Sequence, residues 1–302
     1  MSSDAGAAPT QAPAQSGGAL ARFLSRPSPL DPSPISSFTG TFGIREAERL
    51  LWRAGFGARP KEIEFWARRS RERTIDWLIR GGAGPHGTKR MVGPAPRANG
   101  KPLDPVNEWG HDMLWWLDKM VRSQRPLQEK LTLFWHDHFA TRDQDAPLML
   151  AQNHKLRQHA LGPFPELLRA VTTDPAMQAF LSLVDSDKRD PNENYARELM
   201  ELFTLGVDKY TQTDVTEVAR ALTGWTIARG TYTEADDYNG AKFIDSPELH
   251  DNGAKTILGQ TGNWNGYDAI RIILEYDDGQ GSVSGRFLGK TLWSSSTTEA
   301  GA

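Results

Sequence analysis

Apolar positions along the middle of the chain recur every three to four residues, the spacing of helices rather than strands. From Ile44 to Ala54, Ala47, Leu50, Leu51 and Ala54 fall on one face, and Gly55 and Gly57 supply the stop. Pro60 suits a first helical position, with Ile63, Trp66 and Ala67 continuing the stripe. Ile75 and Leu78 mark a third short helix. Residues 81–106 are rich in Gly and Pro and carry no period, which predicts a long loop. Glu108–Arg122 reads as a helix with Trp115, Trp116 and Met120. Leu127–His138 reads as another, with Leu127, Leu131, Phe134 and Trp135 together. Pro163 and Pro165 introduce a helix through Leu167, Leu168 and Val171.

The strongest helix signal runs from Asn192 to Leu205. Asn192 can cap it, Glu193 and Arg197 are four apart and of opposite charge, and Gly206 ends it. Thr211 opens the next helix with Asp214 in a capping-box position. Val215, Val218, Ala219 and Leu222 form its apolar stripe and Gly224 its stop. Residues 226–266 lose the period, and Tyr267–Glu275 regain it. The pattern predicts a mainly α fold: one multi-helix globular domain over residues 40–293, with long loops and at most a small β-hairpin.

Composition adds the ends and the exclusions. Residues 1–34 hold 22 Ala, Pro, Ser and Gly, too little apolar surface to offset ordering, so a disordered lead is expected. That segment has no basic start, and Arg22 interrupts its one apolar stretch. No secretory signal is therefore read, and the sequence as given predicts a cytoplasmic protein. No stretch is apolar enough for a membrane span. A net charge of −3 argues against a nucleic-acid binder, and the absence of cysteine excludes disulfides, thiolate metal sites and a thiol nucleophile. The charge is uneven, +6 over residues 1–90 and −9 beyond. The run Arg68, Arg69, Arg71, Arg73 could bind anions, but reads more simply as a solvated helix end.

Four segments together resemble one family: "RLLWRAGFGARPKEIE" (Arg49–Glu64), "LTLFWHDHFAT" (Leu131–Thr141), "NENYARELMELFTLGVDKYTQTDVTEVARALTGW" (Asn192–Trp225) and "HDNGAKTILGQTGNWNGYDAIRIIL" (His250–Leu274). In that order they are similar to the bacterial domain of unknown function 1800 (DUF1800) family, over roughly residues 44–293. The resemblance implies a mainly helical domain with no established activity. It also implies export for many members and a frequent neighbour resembling sulfatases and alkaline phosphatases. Against the family pattern the chain reads as truncated after "RFLGKTLW" (Arg286–Trp293), with residues 294–302 a low-complexity tail.

Candidate chemistry is confined to three places. On the Asn192 helix, with Tyr195 at 0°, Glu198 falls at about 300°, inside the apolar sector, and Glu201 at about 240°, on its edge. Carboxylates three apart and partly buried can share a proton, hold a metal or bind an arginine; the plainer reading is a buried Arg–Glu contact. In "WHDHFAT", His138 lies on the apolar face and His136 opposite, so a continuous helix cannot bring both to one metal. His138 is the inward residue, as a core histidine or a ligand. In "HDNGAKT", His250, Asp251 and Lys255 share one turn-forming loop. Trp109, Trp115, Trp116 and Trp135 could line a groove, but more simply fill a helical core. No P-loop, G-x-S-x-G, H-E-x-x-H or dinucleotide fingerprint is present.

Two function classes follow. One is a hydrolase-like enzyme with Glu198, Glu201, His250 and Asp251 as catalytic candidates, and with His138, Glu198 and Glu201 as candidate ligands of a divalent metal such as Zn²⁺, Mn²⁺ or Fe²⁺. The other is a non-catalytic partner or scaffold for a phosphatase/sulfatase-like protein. Convergence of these side chains favours the first, and their dispersal into separate structural contacts the second.

Overall fold

The computed structural model describes residues 39–82, 94–143, 145–229 and 240–297. The expected lead (1–34), much of the first long loop and residues 298–302 lie outside them. The chain divides at Phe42, and all the elements below belong to the unit Phe42–Ala302.

Three short helices come first: α1 (Ile44–Arg53), α2 (Pro60–Ala67) and α3 (Arg71–Arg80). They bury Ala47, Leu51, Ile63, Trp66 and Leu78 against one another as a small core. Arg69 explains part of the arginine run. Its guanidinium donates to the Phe65 carbonyl at 2.7 Å and lies 3.2 Å over the Phe65 ring, closing the end of α2. A two-stranded ribbon, β1 (Arg97–Ala98) and β2 (Lys101–Pro102), interrupts the predicted long loop.

After α4 (His111–Arg122), the larger core is built from α5 (Pro126–Phe139), α6 (Ala146–His159), α7 (Phe164–Thr172), α8 (Pro175–Phe180), α9 (Glu193–Glu198), α10 (Gln212–Leu222), α11 (Gly266–Glu275) and α12 (Val283–Thr297). Fully buried Leu156, Leu168, Val171, Tyr195, Leu199, Val218, Leu222 and Ile272 lie in its one continuous apolar cluster, to which α4 adds no residue. The expected caps form. Asn192 accepts from the Asn194 amide, and Thr211 and Asp214 exchange hydrogen bonds at the start of α10. Glu193 and Arg197 meet at 3.1 Å.

The fold is mainly α as the pattern predicts, and among the described residues its β structure lies in three two-stranded pieces rather than one. Beside β1–β2, β3 (Trp225–Arg229) pairs with β4 (Ala241–Asp245), and β5 (Lys255–Ile257) with β6 (Gln260–Gly262). The β5–β6 turn places Leu258 and Gly259 at positive φ, the backbone of a tight two-residue hairpin. Residues 294–297, read from sequence as the start of a low-complexity tail, continue α12.

Candidate functional site

The predicted single helix Asn192–Leu205 changes character halfway. After α9, Leu199–Thr204 winds as a π-turn. Its Leu205 amide reaches back five residues to the Met200 carbonyl at 2.8 Å, and the Thr204 hydroxyl donates to the Leu199 carbonyl. This widened turn carries Glu201 and follows directly on Glu198. Both glutamates are half-buried. The Tyr210 hydroxyl donates to Glu201 at 2.9 Å. Glu198 has neither a hydrogen bond nor an ion pair among the described residues. Partial burial, and secondarily the Glu201 charge, hold its pKa above the ordinary value. The expected cationic partner is therefore absent there, although Arg197 next to it weakly opposes the shift.

His138 reaches this turn from α5. Its ring lies among Phe134, Phe139, Phe203 and Phe287, and its Nε2 sits 3.2 Å from the Phe203 carbonyl. A carbonyl only accepts, so Nε2 carries the hydrogen and caps a carbonyl left over at the helix end. Burial lowers its pKa to about 4, so the ring is neutral. His136 faces away, edge-on to Trp116 at 5.0 Å. The helix runs through both residues, so the two rings point to opposite sides and cannot chelate one metal together.

The His250 loop lies elsewhere. Along one face of α10, Asp214 accepts from the Leu258 amide at 2.7 Å, Glu217 from the Thr256 amide at 3.0 Å, and Arg220 clamps Asp251 through two nitrogens at 2.7 and 3.3 Å. The Asp251 carboxylate also accepts from the Gly253 amide. Arg220 holds its pKa below the ordinary carboxylate value. His250 donates from Nδ1 to the Thr223 carbonyl at 2.9 Å, and the buried Thr223 hydroxyl accepts from the Asp251 amide. Lys255 is 1% exposed; its ammonium donates to the Asp251 and Gly253 carbonyls, and burial pushes its pKa down. Asp251 and His250 thus hold the loop onto the end of α10, while Lys255 closes the loop on its own carbonyls.

The two regions sit at opposite ends of α10. Arg197, beside Glu198, bonds Gln212 at its start, and Asp251 bonds Arg220 eight residues on, roughly 12 Å along the axis. Glu198 and Glu201 therefore do not share a site with His250 and Asp251. The expected metal set is not assembled either: among the described residues no group of three or more His, Cys, Asp or Glu could hold a metal ion. His138 is turned into its aromatic shell and engaged at Nε2.

Sequence reasoning missed the buried polar joint between α5 and α6. Arg157 grips Glu129 at 2.6 and 2.9 Å and also bonds the Asn153 side chain. Glu129 and Arg157 are nearly inaccessible. The signal was available, since Asn153 and Arg157 are one helical turn apart, but a search keyed to apolar stripes passes over it. Tyr210, at the mouth of the π-turn, was likewise not singled out. The four tryptophans divide: Trp135 is core and donates to the Ala160 carbonyl, while Trp109 is 95% exposed.

A family model described as a protein of unknown function (DUF1800) matches residues 49–294. No curated protein matches the chain, and no solved structure does.

Proposed function

Since this chain belongs to the DUF1800 family, whose description carries no activity, we propose on the placement of its polar side chains that it is a non-catalytic partner or scaffold protein. One observation carries this reading: the candidate groups are spent on holding the fold. Asp251 is clamped by Arg220, His250 and Lys255 close a loop on backbone carbonyls, and His138 caps the π-turn. A catalytic constellation needs convergent groups with a free reacting face, and dispersal over both ends of α10 is the opposite arrangement. The partner class follows from the family resemblance: a phosphatase/sulfatase-like protein. Isothermal titration against the purified neighbour of that class should give saturable binding. Elemental analysis finding a stoichiometric divalent metal that Glu198→Gln removes would overturn the reading.

A second reading is favoured by Glu198 alone. A half-buried carboxyl without a hydrogen-bonding partner among the described residues, one turn from the Tyr210-bound Glu201, suits a proton donor in a hydrolase-like enzyme. Its test is loss of a hydrolytic activity in Glu198→Gln at unchanged stability.

A further inference from the structure

Glycine follows asparagine at Asn99, Asn239, Asn252 and Asn265. This pairing is prone to spontaneous deamidation, because no Cβ shields the glycine nitrogen from the asparagine side-chain carbon. Asn239 lies outside the described residues. The fold treats the other three differently. Asn265 caps α11: its Oδ1 accepts from the Tyr267 and Asp268 amides at 2.9 and 3.1 Å, and Gly266 is buried against the Trp225 ring. Asn252 sits in the loop clamped by Arg220. The Gly253 amide donates to Asp251 at 2.8 Å, and the Asn252 side chain donates to the His250 carbonyl at 3.4 Å. In both places the reacting groups are held apart or already bonded.

Asn99 and Gly100 are in neither position. They form the two-residue turn between β1 and β2, both exposed and both at positive φ, 50° and 73°. Among the described residues neither the Asn99 side chain nor the Gly100 amide has a hydrogen bond, and a Cβ on Gly100 would meet nothing within 4 Å. Arg97 donates to the Gly100 carbonyl at 2.9 and 2.6 Å, a solvent-exposed contact that leaves the Gly100 nitrogen open. The ribbon is two residue pairs long and buries none of them, so it opens at little cost. Opening lets the Asn99 backbone leave the left-handed region and bring the Gly100 nitrogen onto its Cγ.

We propose that Asn99 is a self-modification site, converting to isoaspartate and so creating a carboxyl group that an isoaspartyl methyltransferase accepts. Base takes the Gly100 amide proton, and the nitrogen attacks Asn99 Cγ. The new C–N bond closes a five-membered succinimide, the Cγ–Nδ2 bond breaks, and Nδ2 leaves as ammonia with solvent protons. Water then opens the ring at either carbonyl, giving aspartate or isoaspartate without any change of oxidation state. Arg97 and Lys101 flank the turn, and their positive field favours the deprotonated nitrogen and the oxyanion that follows. The isoaspartate adds a methylene to the backbone of a two-residue turn, so the pairing of β1 with β2 is lost.

The test incubates the full native chain at pH 8.5 and 37 °C and follows each Asn–Gly peptide by mass, with methyl transfer from S-adenosylmethionine by isoaspartyl methyltransferase as the second readout. Conversion should be at least about tenfold faster at Asn99 than at Asn252 or Asn265, since each of those keeps hydrogen bonds that must first break. In urea the three rates should converge, which shows that the fold and not the dipeptide makes the difference. Asn99→Gln should abolish methyl acceptance in its peptide without moving the melting temperature, because the residue is exposed. Asp251→Ala, which frees the Gly253 amide, should quicken Asn252 and leave Asn99 unchanged. Equal rates at the three sites in the native chain, conversion of Asn252 or Asn265 ahead of Asn99, or an Asn99 peptide that gains no methyl-accepting carboxyl overturns the proposal.

Discussion

The His138 imidazole donates from Nε2 to the Phe203 carbonyl, 3.2 Å away, tying α5 to the π-turn that carries Glu201. The ring is neutral because burial drops its pKa to about 4, against 6.5 when unfolded. The native state thus binds fewer protons than the unfolded chain between those values. Stability is fully present above pH 6.5 and is lost as pH falls toward 4. The His138 ring resonances should stay fixed from pH 8 down to the onset of acid unfolding, and His138→Gln should flatten the acid limb of the stability curve. A His138 resonance titrating near its unfolded value would contradict the assignment.

Glu198→Gln should leave stability at neutral pH unchanged or slightly raised. The folded pKa of Glu198 lies above its unfolded value, so its charge is a cost at neutral pH that protonation relieves as pH falls through the folded pKa. Any advantage of the variant should therefore shrink in acid. A loss of about 3–5 kcal/mol would mean that the glutamate anchors a buried cation after all. Denaturant melts at two pH values make the measurement.

Asp251→Asn should weaken the loop's attachment to α10. The change removes a charge-assisted clamp on Arg220, worth about 1.5–3 kcal/mol for hydrogen bonds to charged groups. Because Arg220 depresses the Asp251 pKa, that stability is present above the unfolded carboxylate pKa and lost as pH falls through the folded one. Hydrogen exchange at the Gly253 and Thr256 amides should quicken before the rest of the molecule does. Unaltered protection would detach Asp251 from the structural role given to it.

Gly224→Ala should be strongly destabilising. Gly224 has φ +87°, and an added Cβ would stand 2.5 Å from the Ser246 carbonyl oxygen and 3.1 Å from the His250 nitrogen. Neither is a movable side-chain tip, so the chain reversal after α10 would have to open. A thermal melt suffices to check it; an alanine variant as stable as the parent refutes the tight approach.

Leu199→Ala should cost about 2–5 kcal/mol, as for other large-to-small changes at fully buried positions. Leu199 has no exposed surface and sits at the junction of α9 and the π-turn. Chemical denaturation reads the loss directly, and an unchanged midpoint would remove Leu199 from the core.

The sequence by itself determined the helices whose buried faces are apolar and whose ends carry their own caps. Asn192, and Thr211 with Asp214, act within a few residues of themselves, so their roles survive reading in isolation. It also carried the segments by which the family is identified. Helix α6 was invisible because part of its buried face is polar: Gln152 finds its partner in Asp174 at the start of α8 and Arg157 in Glu129 of α5, contacts that exist only once those helices are in place. Helix α12 escaped because its glycines and serines blur the stripe. The π-turn followed from no local rule, since an extra residue in a turn is stabilised by Thr204, Leu205 and the packing of His138 from a distant helix. The candidate site was decided the same way. Spacing could place Glu198 and Glu201 on one face, but whether Asp251 or His138 joined them depended on contacts between residues 31 and 65 apart in sequence.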